Sequence, residues 1–313
     1  MAVGTSFNLP NYAGELFTAS PKKTPLLSLI GGLTGGKTSD SFEFVTGQEY
    51  ALPAASQPAI SENASLTAPT PSHVARTQKT NTCQIFHESI DLSYAKMSQK
   101  GKLAGLNLAG QTANPASEED FQIQQKLAKM ATDVEYSFIN GVYQQATDAD
   151  TPAKMRGLLE LCKDSTSVDA QEAELSKALL DAFFLELVQN GALWDNMTLL
   201  TNATLKQAIT NIYADQFKAQ MGMSEKVAGM NITRIETDFG FLNIVFDPFM
   251  PAGKLLAADI AHLAPVFCPV PEKGVLFVEA LAKTGADEKK QIYGQIGLDH
   301  GLAFMHGSIE NLK

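Results

Sequence analysis

Residues Gly31–Thr38 read GGLTGGKT, a full match to the phosphate-binding pattern G-x-x-x-x-G-K-[ST]. Glycine amides and a lysine at this spacing can cradle a polyphosphate, provided that a strand enters the loop and a helix leaves it to supply amide donors and a dipole. A tempting partner is Phe241–Asp247, FLNIVFD, an apolar strand ending in an acid of the kind that holds magnesium in nucleotide hydrolases. The residues after the glycines decide against the site. Ser41–Tyr50, SFEFVTGQEY, alternates Phe42, Phe44 and Thr46 with Glu43 and Val45, which is the period of a strand. The preceding TPLLSLI carries a proline and no β run, and Asn243 interrupts the acidic strand. A glycine-rich turn is the favoured reading, with a P-loop nucleotide-binding enzyme as the disfavoured alternative.

The remaining reactive side chains form no catalytic pattern. His73, His87, His262, His300 and His306 lack i,i+4 pairing, and His87-Glu88 is followed by Ser, Ile and Asp instead of the second histidine of a metalloprotease helix. Cys83, Cys162 and Cys268 are far apart, odd in number and without C-x-x-C spacing, so they indicate neither a disulfide framework nor a zinc site. No G-x-S-x-G elbow surrounds a serine. Asp133, Glu135, Asp238, Asp247 and Asp259 are spread along the chain, and nothing in their spacing pairs them. We expect no enzyme activity, no catalytic residues, no cofactor and no metal.

Whatever these residues do, a sizeable scaffold holds them. The chain has 313 residues, 44% apolar and 19% charged, enough at about 150 residues per domain for two packed units. The net charge of −10 is uneven: residues 1–116 hold 8 basic and 7 acidic side chains, and residues 117–313 hold 16 and 27. An acidic body has no general attraction for nucleic acid, which argues against sequence-specific DNA binding. Lys22, Lys23 and Lys37 make the one local basic cluster near the N-terminus. The chain begins without a basic flank and apolar run, and no stretch approaches the roughly 18 apolar residues of a membrane span. A protein made in the cytosol, with no membrane partner, is expected.

The element order is unusual. Pro21 and Pro25 break residues 1–40 into short apolar groups, an arm that needs another surface to lie on. Strand 41–50 leads into about 30 residues rich in Pro, Ser, Thr and Ala, a length uncommon inside compact domains. Asn81–Met97 then alternates in β fashion, so 41–50 outward and 81–97 back would frame a giant hairpin. Ser117–Gln145 is the strongest helix, with acids in its first turn and Phe121, Gln124, Leu127, Ala131, Val134, Phe138 and Val142 on its inner face. Helices near Glu174–Asn190 and after Asn202 follow, and strands over 231–237, 241–246, 254–259, 274–280 and 291–306 close the chain.

Several stretches, in order along nearly the whole chain, are similar to one family. They are TPLLSLIGGLTGGKT (24–38), SQPAISENASL (56–66), NTCQIFHESIDLSYAKMS (81–98), VEYSFINGVYQ (134–144), KMRGLLE (154–160), RIETDFGFLNIVFDPFMPAG (234–253) and ALAKTGADEKKQIYGQIGLDHGLAFMHGSI (280–309). The chain resembles the major capsid proteins of tailed bacteriophages with the Hong Kong phage (HK-ninety-seven) fold. The resemblance implies an α+β fold with an N-terminal arm (1–40), an extended two-stranded loop (41–97), a peripheral domain (98–150 and 266–313) with spine helix 117–145, and an axial α/β domain (151–265).

It also implies a function: self-assembly as hexamers and pentamers into an icosahedral head enclosing double-stranded DNA, in the virion, after synthesis in the host bacterial cytoplasm. The implied partners are copies of the chain itself, a separate scaffolding protein, a portal, a decoration protein and, non-specifically, the packaged DNA. From charge and position, Glu43, Tyr50, Glu62, Arg76 and Lys79 are the expected subunit contacts, Gly35 and Gly36 the hinge of the arm, and Lys22 and Lys23 the basic residues of the inner face. No lysine lies between Asp40 and Gln78, so the lysine cross-link of some relatives is not expected. The chain starts directly at the arm, implying a separate scaffold or a processed form. A non-viral compartment shell of the same fold is the alternative.

Overall fold

The structure is a computed structural model describing residues 24–31, 36–50, 56–71, 73–95, 118–221 and 233–313. Three sheets organise the described residues. The first is built around the long strand β12 (Asp287–Asp299), which pairs antiparallel along one edge with β4 (Gln84–Ser93) and along the other with β11 (Leu276–Ala280) and β10 (Ala264–Phe267). The two-residue strand β1 (Lys37–Thr38) adds in parallel to β10. The second sheet has the order β5 (Thr166–Asp169), β13 (Gly307–Glu310), β9 (Leu255–Asp259), β6 (Met197–Thr201), β8 (Gly240–Phe246), β7 (Arg234–Thr237). The third is a two-stranded hairpin of β2 (Glu43–Tyr50) and β3 (Arg76–Thr82), with a bulge between Val45 and Gly47.

Helix α3 (Glu118–Asn140) lies across the first sheet, burying Ile123, Leu127, Met130, Ala131, Val134 and Phe138 at the three- and four-residue steps of one helical face. The stripe is displaced from the expected one: Phe121 is 44% exposed and Gln124 also faces out, while Ile123 and Met130 are inside. Lys126 and Lys129 reach Glu88 on β4 and fasten the helix to the sheet. The helix stops five residues before the expected Gln145. At Gly141 a side chain would meet the carbonyl oxygen of Met155 at 2.6 Å, and the Gly157 amide donates to the Gly141 carbonyl at 2.9 Å. The chain crosses itself there through two glycines and leads into α4 (Leu158–Cys162).

Around the second sheet pack α5 (Lys177–Gln189), capped by Ser176 Oγ accepting from the Leu179 amide, and α6 (Ala203–Met221), capped by Asn202 Oδ1 accepting from Leu205. This sheet has its own core of Phe183, Phe184, Leu187, Leu199, Leu242 and Leu255. Helix α1 (Pro25–Ile30) buries Leu26, Leu27 and Ile30 in the other core, against α3.

Three expectations are corrected. The outward strand 41–50 does not return along 81–97: it pairs with Arg76–Thr82, and β4 turns away after Cys83 into the first sheet. Apolar alternation marks Phe86, Ile90 and Leu92 as core residues of that sheet, whereas the polar RTQKTNT is the hairpin's return. The final strand 291–306 is broken after Asp299 by Gly301 at φ 62°, then by a 3-10 turn at Ala303–Met305, before β13. Residues 266–313 therefore do not stay in one unit, because β13 crosses to the second sheet and pairs with β5 and β9.

Candidate assembly surfaces

The hairpin has a rigid foot. Asn81 at the end of β3 is fully buried and uses both ends of its amide: Nδ2 donates to the carbonyls of Leu298 (2.8 Å) and Arg156 (3.2 Å), and Oδ1 accepts from the amides of Arg156 (2.8 Å) and Thr82 (2.9 Å). One side chain thus ties the hairpin to β12 and to the approach of α4. Thr46 Oγ1 donates to the Lys79 carbonyl across the bulge. At Gly47 a side chain would strike Leu302, so the glycine permits close packing on the body. Phe44 packs on Cys83, Val266 and Cys268, and its ring fills the space beside Gly297.

The described residues of the tip bury nothing against their own subunit. Every described residue from Gln57 to Thr77 is exposed, with Ile60 at 71%, Leu66 at 82% and Val74 at 56%. Within it, α2 (Glu62–Ser65) is a single turn held by Ser61 Oγ accepting from the Ala64 amide, and it buries nothing. A turn with no core of its own is stabilised only by what it lies against.

The expected contact residues divide along this gradient. Glu43 and Lys79 sit at the foot, where Glu43 accepts from Gln145 Nε2 at 2.8 Å and Lys79 pairs with Asp164 at 3.4 Å. Glu62 lies in α2, and Arg76, exposed, stands opposite Tyr50 in the hairpin register. Gly35, Lys22 and Lys23 lie outside the described residues. Gly36 enters β1 with its α-carbon against the Phe267 ring, where a β-carbon would come within 2.7 Å. The residue permits close approach there. Asn81 was not singled out from the sequence, and a lone asparagine in a polar strand carries no pattern that would have marked it.

The described end of the glycine stretch, Gly36–Thr38, is not built as a phosphate site. Lys37 and Thr38 are strand, β2 follows, and the Lys37 amine is paired with Asp299 at 2.5 Å. Among the described residues after the glycines there is strand and no helix N-terminus to hold phosphates. Beside it, a cleft of about 600 Å³ runs under the hairpin foot, lined by Leu29, Ile30, Thr46, Leu263 and Leu302. The other candidates for chemistry are occupied structurally. His300 and His306 are fully buried and burial pulls each down to about 4, while burial pushes the Cys83 thiol up to about 12, the reverse of an activated thiolate. Asp195, Asp259 and His262 approach one another, but Asp259 accepts from the amides of Asp195, Asn196 and Ala261, and His262 pairs with Asp195. Among the described residues no helix is long and apolar enough to cross a membrane.

The long helix α3, the two larger sheets and the hairpin recur together in solved structures. The chain superimposes on the cyanophage A-1(L) capsid with a TM-score of 0.64 at 9% identity, covering 93% of each chain. It matches the capsid of Mycobacterium phage Cain (TM-score 0.57, 11% identity, 99% and 96% covered) and the SrpI encapsulin of Synechococcus elongatus (0.57, 11%, 98% and 92%). These likenesses define the class as the Hong Kong phage α+β fold. No individually curated protein matches in sequence. The model of the SU10 major capsid protein family matches residues 1–313, and the chain belongs to that family. It is a capsid shell protein of a bacteriophage head.

Proposed function

We propose that the chain assembles as hexamers and pentamers into an icosahedral head around double-stranded DNA, with the hairpin tip of each subunit lying on a neighbour. The observation that carries this reading is the contrast within the hairpin: a foot fixed by Asn81 and Phe44, and a tip whose described residues from Gln57 to Thr77 are all exposed in the single subunit. Exposed Ile60, Leu66 and Val74 offer apolar surface to that neighbour, and Glu62 and Arg76 offer charge. Tyr50, Glu43 and Lys79 complete the contact at the base. The six-stranded sheet with α5 and α6 forms the axial part of the capsomer, the sheet under α3 the peripheral part, and residues 1–40 the arm pivoting at Gly35 and Gly36. Lys22 and Lys23 face the DNA. A role without catalysis fits a family of shell proteins.

A scaffolding protein, a portal and a decoration protein are the further partners, and synthesis takes place in the host bacterial cytoplasm before incorporation into the virion. A compartment shell is the second reading, favoured by the encapsulin likeness and distinguished by a gene neighbourhood without portal and packaging genes.

Replacing residues 56–71 with a short Gly-Ser linker tests the assembly. The variant is expected to unfold within about 2 °C of the parent, since the segment buries nothing, and to give no closed particles in electron micrographs where the parent gives them. Shells formed equally well by both chains would overturn the proposed tip contact.

A further inference from the structure

Glu135 on α3 and Asp247 after β8 are both fully buried. The two Glu135 oxygens accept from the amides of Leu26 at 2.7 Å and Leu27 at 2.6 Å, in the first turn of α1. That turn has no side-chain cap of its own, so a carboxylate more than 100 residues away in sequence supplies one. Asp247 Oδ1 accepts from the Phe249 amide at 2.8 Å, but Oδ2 receives no donor from any described residue. The Asp247 side chain lies within hydrogen-bonding reach of the Glu135 carboxyl. Two carboxylates are both acceptors, and they hydrogen-bond to one another only around a proton.

We propose that Glu135 and Asp247 share one proton and form a latch that docks α1, the root of the N-terminal arm, on the spine helix and releases it in alkaline solution. Among the described residues no positive charge compensates the pair. Helix α1 brings no titratable side chain, and the 3-10 turn against it brings His262, already paired with Asp195. On α3 itself Asp133 and Tyr136 flank Glu135 and both face out. Burial, and then the neighbouring Asp247, push the Glu135 carboxyl up to about 9, and burial raises Asp247 as well. The folded chain therefore holds a proton that the unfolded chain gives up near the ordinary carboxylate range. The latch's contribution is complete in acid, declines as pH rises, and is gone above about 9.

The test is hydrogen exchange of the full-length subunit at pH 7–10, read as protection of residues 24–31 relative to an unstructured peptide at the same pH. For a group titrating near 9 when α1 is docked and in the ordinary carboxylate range when it is released, protection is expected to fall about a hundredfold between pH 7 and 10, while residues 127–139 of α3 stay protected. In Asp247→Asn the new amide donates to Glu135 without a proton, so protection is expected to stay level. In Glu135→Gln one acceptor becomes a donor, so protection is expected to be lower at pH 7 and independent of pH. The proposal is overturned by level protection in the parent chain, by an equal alkaline loss in Asp247→Asn, or by a loss that α3 shares.

Discussion

Asn81 uses both lone-pair directions of its oxygen and both hydrogens of its amide, with the side chain sealed from water. Removing it strands the Leu298 and Arg156 carbonyls and two amides together, so Asn81→Ala is expected to cost about 2–4 kcal/mol in urea unfolding. The buried histidines act through protons. His306 accepts the Asp259 amide at Nδ1 and pairs through Nε2 with the His300 carbonyl, an arrangement open only to the neutral ring. The unfolded chain takes up protons near 6.5 that the folded chain refuses until about 4. Stability from this source is complete above 6.5 and lost as pH falls through 4, the opposite sense to Glu135 and Asp247. Equilibrium unfolding between pH 7 and 4 is expected to show a steep decline that His306→Gln, able to accept and donate at the same places, makes shallower.

The end of α3 is decided by an encounter between elements. Helical pattern continues through Val142, yet Val142 is 66% exposed and the helix has already stopped, because the strand-like approach to α4 passes against Gly141. A β-carbon at Gly157 would lie 2.5 Å from the Gly141 amide nitrogen, a backbone atom with nowhere to retreat. Gly157→Ala is expected to destabilise the subunit by at least about 2 kcal/mol in thermal or urea unfolding, whereas alanine at Gly285, whose nearest neighbour is an Asp287 oxygen at 3.6 Å, is expected to leave stability within about 0.5 kcal/mol. The hairpin illustrates the same dependence on partners. Polar β3 and apolar-alternating β4 are both legible as strands, but alternation identifies a buried face without identifying which strand lies beside it.

For the whole molecule, two cores are joined by strands that cross between them, and the last of these, β13, comes from a stretch whose sequence otherwise belongs to the first sheet. The amino-acid sequence determined the α+β class, the long helix, the cap at Asn202, and the strand after the glycines that argues against a phosphate site. These are local properties, set by periodicity and by side chains acting on their own backbone within a few residues. Family resemblance added the shell architecture, because the matching stretches run through the whole chain in order. Tertiary structure alone paired Glu135 with Asp247, 112 positions apart, placed Asn81 under the hairpin, and shifted the buried stripe of α3 onto Ile123 and Met130. Each depends on which distant groups are brought within hydrogen-bonding or packing distance. Local spacing carries no record of that proximity.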